Sequence, residues 1–139
     1  MMDQIDVSER RARLLIADDH AMVVERVVDL LGSMFEVVDV VDNGIELVEA
    51  AERLSPDIIV LDISMPGQTG IEAARQLRKK NCPAKLVFLT VHEQAQFVRR
   101  CMAEGALGYV GKSRLESDLI PAILEALSGR QYISPPPKM

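Results

Sequence analysis

The chain of 139 residues has no tryptophan, and its three phenylalanines and two tyrosines bring aromatics to only 4%. With 48% apolar residues it has enough material for a core, but that core must be aliphatic. Val, Leu, Ile and Ala dominate, as expected of parallel strands buried on both faces. Cysteine is nearly absent too. Cys82 and Cys101 make no disulfide framework and lack metal-ligand spacing. Cys101 falls in a helical pattern and reads as a small hydrophobe, and the pair suits a reduced, cytoplasmic setting. No apolar run approaches the ~18 residues of a membrane span, and the charged N-terminus lacks a secretory signal pattern. Basic residues are outnumbered, 16 against 21 acidic, for a formal charge of -5. That balance argues against a nucleic-acid surface on this chain, because phosphate binding relies on clustered Lys and Arg. The densest basic stretch, Arg75, Arg78, Lys79 and Lys80, reads as the solvated end of a helix.

What is present is a regular alternation. Short apolar runs, Leu14 to Ala17, Phe35 to Val41, Ile58 to Leu61, Leu86 to Leu89 and Leu107 to Val110, are too short for buried helices and rich in strand formers. Between them apolar residues recur at helical spacing. Val23, Val27 and Leu31 mark a first helix, stopped by Gly32. Ile45, Val48 and Ala51 mark a second, after the Asn43-Gly44 turn and before Ser55-Pro56. Ile71, Ala74 and Leu77 mark a third, and Phe97, Val98, Cys101 and Met102 a fourth. Leu119, Ile123 and Leu127 mark the fifth, expected to begin near Ser117, which would place Pro121 in its first turns, where proline is tolerated. Five strands alternating with five helices predict an α/β fold: a doubly wound five-stranded parallel sheet, (βα)5, with flavodoxin-like order 2-1-3-4-5. Residues 1–12 read as an N-terminal extension and 13–130 as the domain. Residues 131–139, with Pro135-Pro136-Pro137, read as a tail or the start of a linker.

In such sheets ligands bind beyond the carboxyl ends of the strands, where the strand order switches, here between strands 1 and 3. Strand 1 ends in Ala17-Asp18-Asp19 and strand 3 in Leu61-Asp62, so three carboxylates should share one crevice. Two unit charges about 4 Å apart repel by roughly 4 kcal/mol at an effective dielectric near 20. Either one acid holds a proton or a cation sits among them, and oxygen ligands with room for water favour Mg2+ or Mn2+ over zinc. The plainer alternative is that Asp18 and Asp19 merely cap the first helix. The loop from Ile63 to Gly70 is rich in turn formers and can turn a backbone carbonyl near Ser64 inward. Thr90 ends strand 4 and Lys112 follows strand 5, placing a hydroxyl and an ammonium where they could meet a phosphoryl group on Asp62.

These residues resemble the receiver family of two-component signalling. The resemblance rests on Asp18-Asp19, the segment Asp57-x-x-x-x-Asp62-x-x-Met65-Pro66-x-x-x-Gly70, Thr90 and Gly108-Tyr109-Val110-x-Lys112, in family order over nearly the whole chain. Leu89 to Glu93 and Gly129 to Pro135 look most like the NarL/LuxR subfamily. The resemblance implies that Asp62 is the phosphoacceptor for a sensor histidine kinase. Asp18, Asp19, Asp62 and the Ser64 carbonyl would hold Mg2+, Lys112 and Thr90 would bind the phosphoryl oxygens, and Tyr109 would turn inward as the switch residue. Val91, with Ser64, is expected to tune access and slow self-dephosphorylation. Ser113 stands where many receivers carry proline, which leaves the local backbone geometry open. The implied output surface is the fourth helix, fifth strand and fifth helix, with a possible homodimer through it or through the first and fifth helices. The subfamily's helix-turn-helix DNA-binding domain is not among these residues. The chain therefore reads as the receiver of a transcription regulator or as a stand-alone receiver acting through protein contacts, its catalysis confined to its own phosphorylation and slow dephosphorylation.

Three rivals compete with this reading. A phosphohydrolase of the haloacid-dehalogenase class needs a second Asp two residues after the nucleophile, where Ser64 stands. A flavodoxin-type binder needs a phosphate-cradling loop in place of Asp18-Asp19-His20. A pure interaction module would have no use for the acid set.

Overall fold

Each apolar run becomes a strand because its alternate side chains find helices on opposite sides of one sheet. The computed structural model describes residues 11–135. In chain order these form β1 (Arg13–Ala17), α1 (Ala21–Leu31), β2 (Glu36–Val41), α2 (Gly44–Leu54), β3 (Ile58–Leu61), α3 (Gly70–Lys79), β4 (Lys85–Thr90), α4 (Ala95–Ala103), β5 (Gly108–Gly111), a 3-10 turn (Lys112–Arg114), α5 (Leu115–Leu127) and β6 (Tyr132–Ile133). The sheet order is β2-β1-β3-β4-β5-β6, with every adjacent pair parallel. The expected (βα)5 fold and its 2-1-3-4-5 order are present.

Successive residues of one strand serve two cores. Leu14, Ile16, Ile58, Val60, Val87 and Leu89 face α1 and α5, meeting Val27, Leu31, Leu115, Leu119 and Ile123. Leu15, Ala17, Ile59, Leu61, Leu86 and Phe88 face the other layer, α2 to α4, and meet Leu47, Val48, Ala74, Leu77 and Cys101. Cys101 is fully buried among them, and burial pushes its thiol up to about 12, so it packs as a hydrophobe. Two of the helices are capped by their own side chains. Asn43 Oδ1 accepts from the Glu46 N–H to cap α2, and Thr69 and Glu72 form a reciprocal capping box on α3. The basic stretch is partly paired: Arg75 and Arg78 both bind Glu104, and Lys80 binds Glu52.

Two local expectations are corrected. The sheet gains a sixth strand from residues read as tail: the Tyr132 N–H donates to the Leu107 carbonyl and the Ser134 N–H to the Tyr109 carbonyl. Two paired residues carry too little periodicity to be seen in sequence, and they form a strand only because β5 leaves an edge to be paired. Residues 1–10 of the N-terminal extension and 136–139 of the tail lie outside the described residues. The fifth helix starts at Leu115, two residues before Ser117, so Pro121 lies in its interior. Leu115 is fully buried and draws the chain straight from the 3-10 turn into the helix, while Pro121 sits on the solvent face. The Lys112–Ser113 peptide is trans.

That helix carries a buried acid. Asp118, only 3% exposed, accepts from Arg114 Nε at 2.9 Å and Ser117 Oγ at 2.7 Å. Burial alone would raise its pKa, but these bonds outweigh it and hold the carboxyl below its usual value. A depressed carboxyl contributes stability above its unfolded pKa of about 3.9 and loses it as pH falls through the folded value. Asp118→Ala is expected to lower urea stability by about 2 kcal/mol at neutral pH, with the gap from wild type closing as pH falls below about 4. Urea titrations of both proteins across that range check this.

Candidate functional site

Register brings the acids together. Ala17 pairs with Leu61 across β1 and β3, and the Asp62 N–H donates to the Ala17 carbonyl at 3.0 Å. The Asp18 N–H donates to Val41 of β2 at 3.0 Å, so both residues leave the sheet at one edge. Ligating atoms of Asp18, Asp19, His20 and Asp62 all lie within 4.8 Å of one another. Asp62 is 1% exposed and Asp18 is buried, while Asp19 opens to solvent.

Neither Asp18 nor Asp19 caps α1. The residue before that helix is His20, which makes no side-chain cap, and Asp18 Oδ1 instead accepts the His20 backbone N–H at 2.9 Å. The acid pair is therefore free to face the crevice. Lys112 reaches it from beyond β5. Its ammonium lies 2.9 Å from Asp62 Oδ2 and 3.0 Å from Asp18 Oδ2, with His20 Nδ1 at 3.1 Å. Burial opposes the charged lysine, but the two carboxylates outweigh it and raise its pKa above the usual value. By formal charge, three carboxylates face the one lysine ammonium of the crevice. The donors are hard oxygens on the rim of an open cleft, the set that Mg2+ or Mn2+ takes with water completing its shell. The residues fit such an ion.

The remaining predicted residues follow or end neighbouring strands. Thr90, fully buried, ends β4 opposite Gly111, and its Oγ1 accepts from the His92 N–H at 3.3 Å. Val91, next to Thr90 in the chain, is 63% exposed. Ser64 is exposed, and its hydroxyl lies 2.8 Å from His92 Nε2. Gly70 explains the spacing of the Met65-Pro66-x-x-x-Gly70 segment. Its N–H donates to Ile63, and a Cβ there would lie 1.9 Å from the Asp62 carbonyl oxygen. Only glycine lets the start of α3 approach the backbone of Asp62 so closely.

Tyr109 already points inward. Its ring is buried against Phe88, and its hydroxyl donates to the His92 carbonyl. Burial, reinforced by nearby acids, pushes its hydroxyl well above the usual tyrosine range. It is also not on an edge strand, since β6 covers β5. Two functional positions escaped the sequence reading. His20 joins the acid cluster, and its place directly after Asp18-Asp19 was the available signal. His92 ties Ser64, Thr90 and Tyr109 together and stacks on Phe97 at 4.5 Å. Nothing in its spacing indicates this.

The family model described as response regulator receiver domain matches residues 14–124. The response regulator GacA of Pseudomonas viridiflava is 35% identical over 125 residues, covering 88% of this chain and 58% of its own length. The transcriptional regulatory protein DegU of Brevibacillus brevis is 34% identical over 131 residues, covering 93% of this chain and 56% of its own. The chain thus spans little more than half the length of these relatives. A crystal structure of a LuxR-family two-component response regulator from Aurantimonas sp. SI85-9A1 superposes with a TM-score of 0.85 at 34% identity, covering 91% of each chain. No helix among the described residues is long and apolar enough to cross a membrane.

The buried lysine yields a direct test. Removing one partner of a buried ion pair costs about 3–5 kcal/mol, because the other charge is left uncompensated. In EDTA at neutral pH, Lys112→Ala is expected to lose stability on the order of 3 kcal/mol. Adding Asp62→Asn should recover part of that loss, which chemical denaturation of the single and double variants measures.

Proposed function

Because the chain belongs to the response regulator receiver domain family, a regulatory family, and is of the NarL/LuxR type, we propose that Asp62 is its phosphoacceptor and that phosphorylation switches a surface around Tyr109. The observation that carries this reading is the buried Asp62 carboxylate at the end of β3, held by Lys112 beside Asp18. A carboxylate oxygen of Asp62 attacks phosphorus. The phosphorus–nitrogen bond of a kinase phosphohistidine breaks, and its electron pair leaves with the imidazole. Little covalent work is asked of the protein beyond positioning and charge stabilisation.

Asp62 comes to the reaction already oriented. Its Oδ1 accepts from the Ile63 N–H at 2.7 Å and its Oδ2 from Lys112. Asp18, Asp19, Asp62 and the Ser64 carbonyl would hold a magnesium ion, which supplies positive charge against the phosphoryl oxygens when bound. Lys112 moves from pairing two carboxylates to neutralising the transferred group. Thr90 Oγ1 turns from the His92 N–H to a phosphoryl oxygen, and because Tyr109 binds the carbonyl of the same His92, that turn is felt at the switch residue. Val91 and Ser64 at the mouth govern access of water to the acyl phosphate. Transcription control through a DNA-binding domain elsewhere in a longer protein, in the cytoplasm, follows by analogy with relatives such as DegU. A stand-alone receiver is the alternative.

Incubation with acetyl phosphate and Mg2+ is expected to add one phosphoryl mass to the wild type. Asp62→Asn, or wild type in EDTA, should show none, and intact-mass spectrometry decides. A mass gain undiminished in Asp62→Asn would remove the assignment. Val91→Ala opens the mouth, and the purified phosphoprotein is expected to lose its phosphoryl group several-fold faster than wild type in a timed decay.

A further inference from the structure

His20 stands in the acid crevice, and the phosphoacceptor reading gives it no part. Its position is set by the turn out of β1. The backbone is extended at His20, immediately before α1. Asp18 Oδ1 accepts its N–H at 2.9 Å, and its carbonyl accepts the Val24 N–H at 3.0 Å. Held on both sides, the residue turns its ring back over the strand ends. Nδ1 then lies 2.9 Å from Asp18 Oδ1, 3.3 Å from Asp19 Oδ1 and 3.6 Å from Asp62 Oδ2. The side chain is 54% exposed, so the group borders solvent.

Hydrogen bonding alone does not account for this meeting. Nδ1 carries at most one proton, and a proton given to Asp18 Oδ1 leaves the other two oxygens unanswered. An unprotonated Nδ1 turns its lone pair toward the same carboxylates, with the Lys112 ammonium 3.1 Å away. A metal ion satisfies all four atoms at once. Donors bonded to one ion at about 2.0–2.2 Å lie about 3.0 Å apart at right angles and about 3.4 Å apart at tetrahedral angles. The three separations around Nδ1 bracket these values. Lys112 contacts Asp18 through its other oxygen, Oδ2, so Asp18 can serve lysine and ion together.

We propose that His20 Nδ1 is a ligand of the ion held by Asp18, Asp19 and Asp62, and that it shifts the preference of the crevice from Mg2+ towards Zn2+. The acids alone are the oxygen set that Mg2+ takes, keeping several waters. Imidazole is a poor partner for Mg2+ and a good one for zinc, so one nitrogen donor changes the selectivity of an otherwise all-oxygen site. The inference rests on the divalent-ion reading of the crevice and adds to it a selectivity that resides in one side chain.

The test is titration of the full chain with zinc chloride and, separately, with magnesium chloride, as wild type and as His20→Gln. The glutamine amide keeps a donor for Asp18 but removes the imidazole. Calorimetry gives the affinities. Imidazole 15N NMR reports the ligand directly, because the chain has only two histidines. Zn2+ is expected to move the His20 Nδ1 resonance to a metal-bound position. His20→Gln should weaken Zn2+ binding about tenfold or more, and Mg2+ binding by less than about twofold. An unmoved His20 Nδ1, or equal Zn2+ affinity in the variant, would overturn the proposal. Equal losses for both ions would overturn it too, since His20 would then act by holding the acids in place. Wild type that binds neither ion would remove the divalent-ion reading itself, whereas retained Mg2+ binding with an unmoved His20 would remove this inference alone.

Discussion

The ammonium of Lys112, held between Asp62 and Asp18, is the contact on which the arrangement of this crevice depends. Two carboxylates at the ends of neighbouring strands repel one another, and a third, Asp19, lies close by. One lysine, itself buried, answers two of these charges at about 3 Å. The pairing keeps the strand ends together yet leaves the cluster short of neutrality. The clustered carboxylate oxygens fit a divalent cation, and in the proposed reading the same lysine meets the incoming phosphoryl group. Stability and chemistry draw on the same few charges.

The surrounding elements serve this contact. β1 and β3 pair in register, so the residues after Ala17 and Leu61 emerge side by side. Gly70 lets α3 close over the backbone of Asp62. Thr90 and Tyr109 converge on one residue, His92, the first through its N–H and the second through its carbonyl. His92 also reaches Ser64 across the mouth of the crevice. Thr90, His92, Tyr109 and Ser64 thus form one hydrogen-bonded set, and in the proposed reading a phosphoryl group on Asp62 joins it through Thr90. Coupling through such a set is typically worth about 1–3 kcal/mol.

Much of this was legible in the chain itself. Five aliphatic runs alternating with helical periods imply a doubly wound sheet, because parallel strands need crossover helices and both faces must be covered. The switch in strand order then locates the crevice, and Asp18, Asp19 and Asp62 fall at it without reference to any other protein. What was not legible is local. β6 has only two residues, and Pro121 drew the expected start of α5 later than Leu115 allows. His92 is an unremarkable loop residue until the fold sets it opposite Ser64.

The sequence by itself determined the layers, the strand order and the identity of the acids, because hydrophobic period and strand-end position are properties of neighbouring residues along the chain. Only the tertiary structure decided that Lys112 bridges two of those acids, that Tyr109 is already turned inward on the His92 carbonyl, and that Glu93 keeps one oxygen unpaired beside Gly111. Each of these joins residues from separate elements through contacts of a few ångströms. Such distances follow from how helices and strands pack, and no spacing along the chain encodes them.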